Sequence, residues 1–272
     1  MRSVIQFALA LGLVGSIFGV VPTAYAQTPV QQLGRNSVAP SKTTEVSDLL
    51  RQRADQGEAR AQVLMGNRYQ YGNGVPPDYA IALYWYRKAA DQSDSYGQFY
   101  LGLMYTLGKG VAQNYPVAVS WFSKAAEQGN ADSQLSLGLM YAEGQGVLQN
   151  YPLAVSWFRK AADQGNAAAQ GNLGKMYGSG RGVPQDYDTA AYWLKRAANQ
   201  GLAESQYLLG LFYSSGHGVS KDSVQAHKWL NLAAAGGVAA AANMRDENAR
   251  FMSPAQIAEA QKLAREWRKK EE

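Results

Sequence analysis

Leu137-Gly138-Leu139-Met140-Tyr141-Ala142-Glu143-Gly144-Gln145-Gly146-Val147 is one of five near-copies in this chain. Its leading pair returns as Met65-Gly66, Leu101-Gly102, Leu173-Gly174 and Leu209-Gly210, always 36 residues apart. Tyr69, Tyr105, Tyr141, Tyr177 and Tyr213 keep that period, and so do the loops from Gly72-Asn73-Gly74-Val75 to Gly216-His217-Gly218-Val219. Further on come Trp85, Trp121, Trp157, Trp193 and Trp229, then Ala-Ala pairs from Ala89-Ala90 to Ala233-Ala234. The units tile as 58–93, 94–129, 130–165, 166–201 and 202–237. A fixed period of this length is the signature of a repeat architecture.

Each unit reads as helix, loop, helix. Gln134, Leu137, Gly138 and Tyr141 fall at i, i+3, i+4 and i+7, one face of a helix. A glycine on that face costs about 1 kcal/mol against alanine, and close approach of the partner helix offsets it. Ala118 and Ala154 are the expected counterparts. Asp78, Asn114, Asn150, Asp186 and Asp222 stand at N-cap positions of the second helix. Pro116 and Pro152 fall in its first turn, where no N–H is needed. Gly57, Gly129, Gly165, Gly201 and Gly237 are placed to stop helices at C′, with Ser93 the exception. Burying each Trp is worth roughly 5 kcal/mol as an upper bound, and it requires the neighbouring repeat. The predicted fold class is therefore all-α, an α/α superhelical solenoid.

Both ends of such a stack need caps. Residues 45–57 read as an N-terminal capping helix and 238–272 as C-terminal capping helices with a charged tail. In the latter, Ser253, Pro254 and Gln256 form a capping box ahead of an apolar face of Ile257, Ala260, Leu263, Ala264 and Trp267. Upstream, Met1-Arg2 precedes an uncharged run from Val4 to Val21, then Pro22 and Ala24-Tyr25-Ala26. That pattern is a secretory signal peptide, residues 1–26, with cleavage expected between Ala26 and Gln27. Residues 27–44, rich in Gln, Ser, Thr and Pro, read as a flexible linker. The exported chain is expected in the periplasm or outside the cell, with no membrane insertion and as a monomer.

Composition fits this scheme. Twenty of the 28 glycines and five of the 6 tryptophans occupy repeat columns, so the aromatic and glycine excess is architectural. The absence of Cys excludes a disulfide scaffold, a thiolate metal site and a Cys nucleophile. Without Arg2 the chain carries 25 basic and 21 acidic residues of alternating sign, which does not favour nucleic acid as a partner.

The runs L-G-x-M-Y-x-x-G-x-G-V, N-Y-P-x-A-V-S-W-F and K-A-A-x-Q-G, as in Leu137–Val147, Asn150–Phe158 and Lys160–Gly165, resemble the Sel1-like repeat family, relatives of the tetratricopeptide repeats. The resemblance covers about two thirds of the chain and implies an adaptor that binds protein or peptide partners. By tetratricopeptide geometry it also implies that first helices line a concave groove. The positions around the Leu-Gly signature that vary between repeats then point to Phe99, Leu103, Thr106 and Leu107 in the second repeat. They point to Leu135, Leu139, Ala142 and Glu143 in the third, Gly171, Lys175 and Ser179 in the fourth, and Tyr207, Leu211 and Ser214 in the fifth. The first repeat offers Arg60, Asn67 and Gln70. The partner-binding expectation rests on Phe99, Leu103, Leu107, Leu135, Leu139, Lys175, Tyr207 and Leu211, an apolar groove bordered by Lys175.

Catalysis finds little support. Two histidines, His217 in a loop and His227 on a second helix, are too few for a His metal site. No Ser is followed three residues on by Lys, so the acylating pair of penicillin-binding enzymes is missing. The Gly-x-Gly loops lack the preceding strand of a phosphate loop. No cofactor or metal is expected. The expected function is a non-enzymatic exported adaptor; a secreted factor binding host proteins and an envelope enzyme of the β-lactamase or peptidoglycan type are the alternatives.

Overall fold

The computed structural model describes residues 40–271 and the side chains of residues 48–267. The predicted signal peptide and most of the predicted linker lie outside these residues. The described chain contains thirteen helices and no strand. Helix α1 (Pro40–Asp55) precedes five pairs, α2 (Ala59–Tyr71) with α3 (Tyr79–Asp91), α4 (Ser95–Leu107) with α5 (Tyr115–Glu127), and α6 (Ala131–Glu143) with α7 (Tyr151–Asp163). The pairs α8 (Ala167–Ser179) with α9 (Tyr187–Asn199) and α10 (Ala203–Ser215) with α11 (Ser223–Ala235) follow, then α12 (Ala239–Ala249) and α13 (Pro254–Glu271). Every repeat helix is 13 residues long, as expected of a sequence without slippage. The described chain divides into two compact units, residues 40–150 with α1–α6 and residues 151–271 with α7–α13.

Helix ends form where the sequence places them. Asp78, Asn114, Asp186 and Asp222 accept backbone N–H bonds from the first turn of their helices at 2.9–3.1 Å. The N–H of each of these caps donates in turn to the carbonyl of the signature Tyr, as from Asp186 to Tyr177 at 3.0 Å, which closes the loop. Ser93 takes the left-handed conformation of the glycines in its column, with φ 62°. The first loop glycine of the fourth repeat, Gly180, caps α8 at φ 70°. The second, Gly182, has a different duty. A Cβ there would lie 2.5 Å from the backbone carbon of Tyr151, so α7 of the preceding repeat rests directly on it.

The helical glycines behave differently from expectation. A Cβ on Gly102 would meet the ring of Phe122 at 2.7 Å, and one on Gly174 or Gly210 would meet Leu194 or Leu230 at 2.7 Å. The bulky residue after Trp in the same repeat is therefore nearest to these three glycines, ahead of the column of Ala118 and Ala154, whose member Ala190 also brings its carbonyl within 3.2 Å of a Cβ on Gly174. Those alanines are fully buried.

A column of buried glutamines joins successive repeats. Gln62, Gln134, Gln170 and Gln206 each donate from Nε2 to a carbonyl at the end of the preceding helix, α1 for Gln62 and a second helix for the others, at 3.1–3.2 Å. Their Oε1 atoms are acceptors in the same network: Gln62 and Gln170 accept from Gln92 and Gln200, each at 2.8 Å. Gln98 likewise accepts from Gln128 at 2.8 Å. A buried amide with both ends bonded avoids the cost of an orphaned polar group.

The ends are capped. Helix α1 begins at Pro40, inside the stretch read as a linker, and its Ala54 packs with Ala61, Met65 and Trp85. At the far end Ser253 and Gln256 form the predicted capping box, with bonds of 2.8 and 3.3 Å. Helix α13 runs on to Glu271 through the stretch expected to be a tail. Its Ala264 and Trp267 cover Trp229 and Leu232 of the last repeat, the two Trp rings meeting edge to face at 6.2 Å.

Candidate partner-binding face

The first helices carry the residues expected to line the groove, and burial separates them into two sets. Phe99 is 1% exposed, with its ring 5.2 Å from Tyr100 and 6.0 Å from Phe122. Leu103, Leu135 and Leu139 are buried in the first unit, and Leu211 is buried in the second among Ala191, Leu208 and Phe212. These five belong to the core as the protein stands. Phe99 and Leu211 show the reason: each packs on side chains of second helices, Phe122 for the former and Ala191 and Leu230 for the latter. Leu107 differs, being 50% exposed at the end of α4. Lys175 and Tyr207 are half-buried.

The polar residues of the first repeat have internal work. Tyr86 stands where other repeats have Phe or Leu, and its ring is fully buried. Its hydroxyl donates in a shared bond to Asn67 Oδ1 and Gln70 Oε1, both at 2.7 Å. Burial pushes that hydroxyl well above the ordinary tyrosine pKa, with smaller contributions from Tyr100 and Tyr71. Arg60 places its guanidinium 4.4 Å from the centre of the Tyr96 ring. Thr106 bonds back to the Gly102 carbonyl at 2.9 Å and Ser179 to the Lys175 carbonyl at 2.7 Å. These hydroxyls serve their own helices.

One residue of this face was not expected. Tyr71, at the end of α2, is 46% exposed and occupies the column of Leu107. Burial of its hydroxyl, aided by Tyr100 and Tyr79, raises its pKa to about 12. The signal was present in the spacing, since Tyr71 and Leu107 are 36 residues apart.

Lys175 is the charged member of a column otherwise filled by Asn67, Leu103, Leu139 and Leu211. Burial lowers its pKa, and the charge of Glu204 on α10 opposes that shift only in part. Glu204 also acts with burial to raise the pKa of Tyr207 one turn along α10. Lys175 and Tyr207 thus both come under the electrostatic influence of Glu204 across α8 and α10.

The histidines stand apart. His227 is 4% exposed, and its Nδ1 lacks a hydrogen-bond partner. His217 Nδ1 lies 2.5 Å from Ser215 Oγ in its loop. Among the described residues no group of three or more metal-binding side chains comes together. None of the described helices is long and apolar enough to cross a membrane.

Stacked helix pairs with a variable first-helix face define a repeat scaffold of the protein-binding kind. The Sel1 repeat family model matches residues 59–94, 95–130, 131–166, 167–202 and 203–238, one residue later than the units counted from Glu58. The chain belongs to the Sel1 repeat family. The crystal structure of a Sel1 repeat protein from Oxalobacter formigenes is 36% identical over 73% of this chain and 57% of its own, with TM-score 0.68. The chain thus spans little more than half the length of that relative. A Sel1 repeat protein from Klebsiella pneumoniae subsp. pneumoniae is 24% identical, with 74% of this chain and 98% of its own covered and TM-score 0.50. The immunity protein Pa5087 from Pseudomonas aeruginosa is 22% identical, with 82% and 83% covered and TM-score 0.50. These two show likeness of fold. Among curated proteins none matches the sequence significantly.

Proposed function

We propose that this protein is an exported, monomeric, non-enzymatic adaptor that holds a protein or peptide segment on its first-helix face. One observation carries the reading. The repeated polar residues are spent within the scaffold, as caps and as the glutamine column, whereas the variable column at the ends of α2 and α4 leaves Tyr71 and Leu107 half in solvent. Exposed apolar side chains on a rigid helical face are what an extended or helical partner segment packs against. The N-terminal pattern from Met1 to Ala26 supports export. In this reading Leu107 of the first unit and Lys175 and Tyr207 of the second are each positions open to a partner, while Phe99, Leu103, Leu135, Leu139 and Leu211 are buried and hold the helices that carry them.

The test is charge substitution. Leu107→Glu leaves the fold intact by circular dichroism and abolishes recovery of the partner captured by the wild-type protein in the living envelope. Unchanged recovery with Leu107→Glu and Tyr71→Glu together contradicts the proposal. Export is checked by fractionation and by an N-terminus at Gln27. Hydrolysis of a chromogenic β-lactam by purified protein would contradict the non-enzymatic part.

A further inference from the structure

We infer that the last two turns of α7 and α9 form a docking surface for the headgroups of an anionic phospholipid bilayer. The surface lies on second helices, so it is separate from the first-helix face. Helix α7 ends on Trp157-Phe158-Arg159-Lys160-Ala161-Ala162-Asp163 and α9 on Trp193-Leu194-Lys195-Arg196-Ala197-Ala198-Asn199. The two stretches carry Arg159, Lys160, Lys195 and Arg196 against the single acid Asp163. The same stretches of α3 and α5 carry Arg87, Lys88 and Lys124 against Asp91 and Glu127. Gln200, just after α9, donates to the Gly165 carbonyl just after α7 at 3.0 Å, which brings the two basic ends together.

What holds these cations is aromatic rather than acidic. Lys160 lies 4.0 Å from the centre of the Trp157 ring, and Arg196 5.4 Å from that of Trp193. Arg196 also donates to the Tyr192 hydroxyl at 2.9 Å, and Arg159 donates to the Tyr177 hydroxyl. Among the described residues none of the four cations has a carboxylate within the 4.0 Å of an ion pair. A ring face or a phenol hydroxyl orients a cation without cancelling its charge, so the charge remains for an anionic ligand. All four cations are exposed, Tyr192 is 53% exposed and Trp157 is half-buried. Half-exposed indole and phenol rings sit at the headgroup level of a bilayer, while Lys and Arg meet its phosphates. An acidic polypeptide would use the cations but leave those rings idle.

Co-sedimentation of the purified exported protein with phosphatidylcholine vesicles containing about one third phosphatidylglycerol tests this. Binding is expected at about 0.05 M salt, is lost at about 0.5 M, and is absent with phosphatidylcholine alone. Each cation near an anionic bilayer is worth about fivefold in affinity, so Lys160→Gln with Arg196→Gln weakens binding about 25-fold. Lys88→Gln with Lys124→Gln removes the same charge from the same column of the first unit, and weakens binding less than about threefold. Should circular dichroism show that the first pair disturbs the fold, Lys195→Gln, at an exposed position of α9, replaces it with an expected loss of about fivefold. Equal losses in the two double variants, equal binding to neutral vesicles, or no binding to anionic ones overturns the inference. So does preference for soluble polyglutamate over the vesicles, which makes the ligand an acidic polypeptide. None of these outcomes involves Tyr71 or Leu107, so failure here leaves the first-helix reading standing.

Discussion

Gln200 donates from Nε2 to Gln170 Oε1 at 2.8 Å, while Gln170 Nε2 donates to the Ala162 carbonyl at 3.1 Å. One amide thereby ties the end of α7 to the start of α8 and to the end of α9. Gln170 is buried and Gln200 exposed, so the two ends of the bond have unequal value. Gln170→Ala should cost about 2 kcal/mol, because it orphans a buried carbonyl, and Gln200→Ala about 0.5 kcal/mol. Urea denaturation of the two variants measures the difference.

Ser93 holds a left-handed backbone where five other second-helix or cap ends carry glycine at φ 83° to 95°. A side chain in that region costs roughly 1 kcal/mol. Ser93→Gly is expected to stabilise the protein by about 0.5–1 kcal/mol after allowance for the freer unfolded chain. The readout is a rise in Tm of roughly 2 °C.

His227 links stability to pH. Burial lowers its pKa, with the Arg245 charge adding to that shift and Asp246 opposing it. The folded state then binds its proton less readily than the unfolded chain, whose pKa is about 6.5. Stability therefore falls as pH drops below that value, and the loss levels off below the folded-state pKa. The Tm of wild type should fall more between pH 7.5 and 5.5 than that of His227→Leu. Equal falls would show that His227 carries no linkage.

The docking of α13 depends on a break in a cation column. Lys88, Lys124, Lys160 and Arg196 lie over the Trp of their own repeats at 4.0–5.4 Å from the ring centre. The fifth repeat has Leu232 at that position, and Trp267 of α13 packs there instead. Leu232→Lys would put an uncompensated charge beneath α13 at a cost of about 3 kcal/mol. Limited proteolysis should then release the C-terminal helix before the repeats are cut.

The repeats, their caps and the capping box at Ser253 were legible because each is a local pattern, repeated or tied to a helix end. The solvent-facing surface was not. Whether Phe99 or Leu107 meets solvent depends on what the neighbouring helices cover, and the two stand on the same helix with equal apolar character. The first repeat misled for a related reason: Asn67 and Gln70 look like ligands until Tyr86, a single substitution in a Phe and Leu column, is seen to need a hydrogen bond. Leu232 was a readable signal for where α13 docks, visible as the one apolar member of a basic column.

Adaptor function on the first-helix face is tested most directly by a photo-reactive amino acid placed singly at Tyr71, Leu107 and Tyr207, with Tyr84 and Ser120, both exposed on second helices, as controls. After irradiation in the living envelope, the three first-helix positions should give one and the same covalent adduct, and the control positions none. Adducts confined to Tyr84 and Ser120, or spread equally over all five positions, would contradict the account.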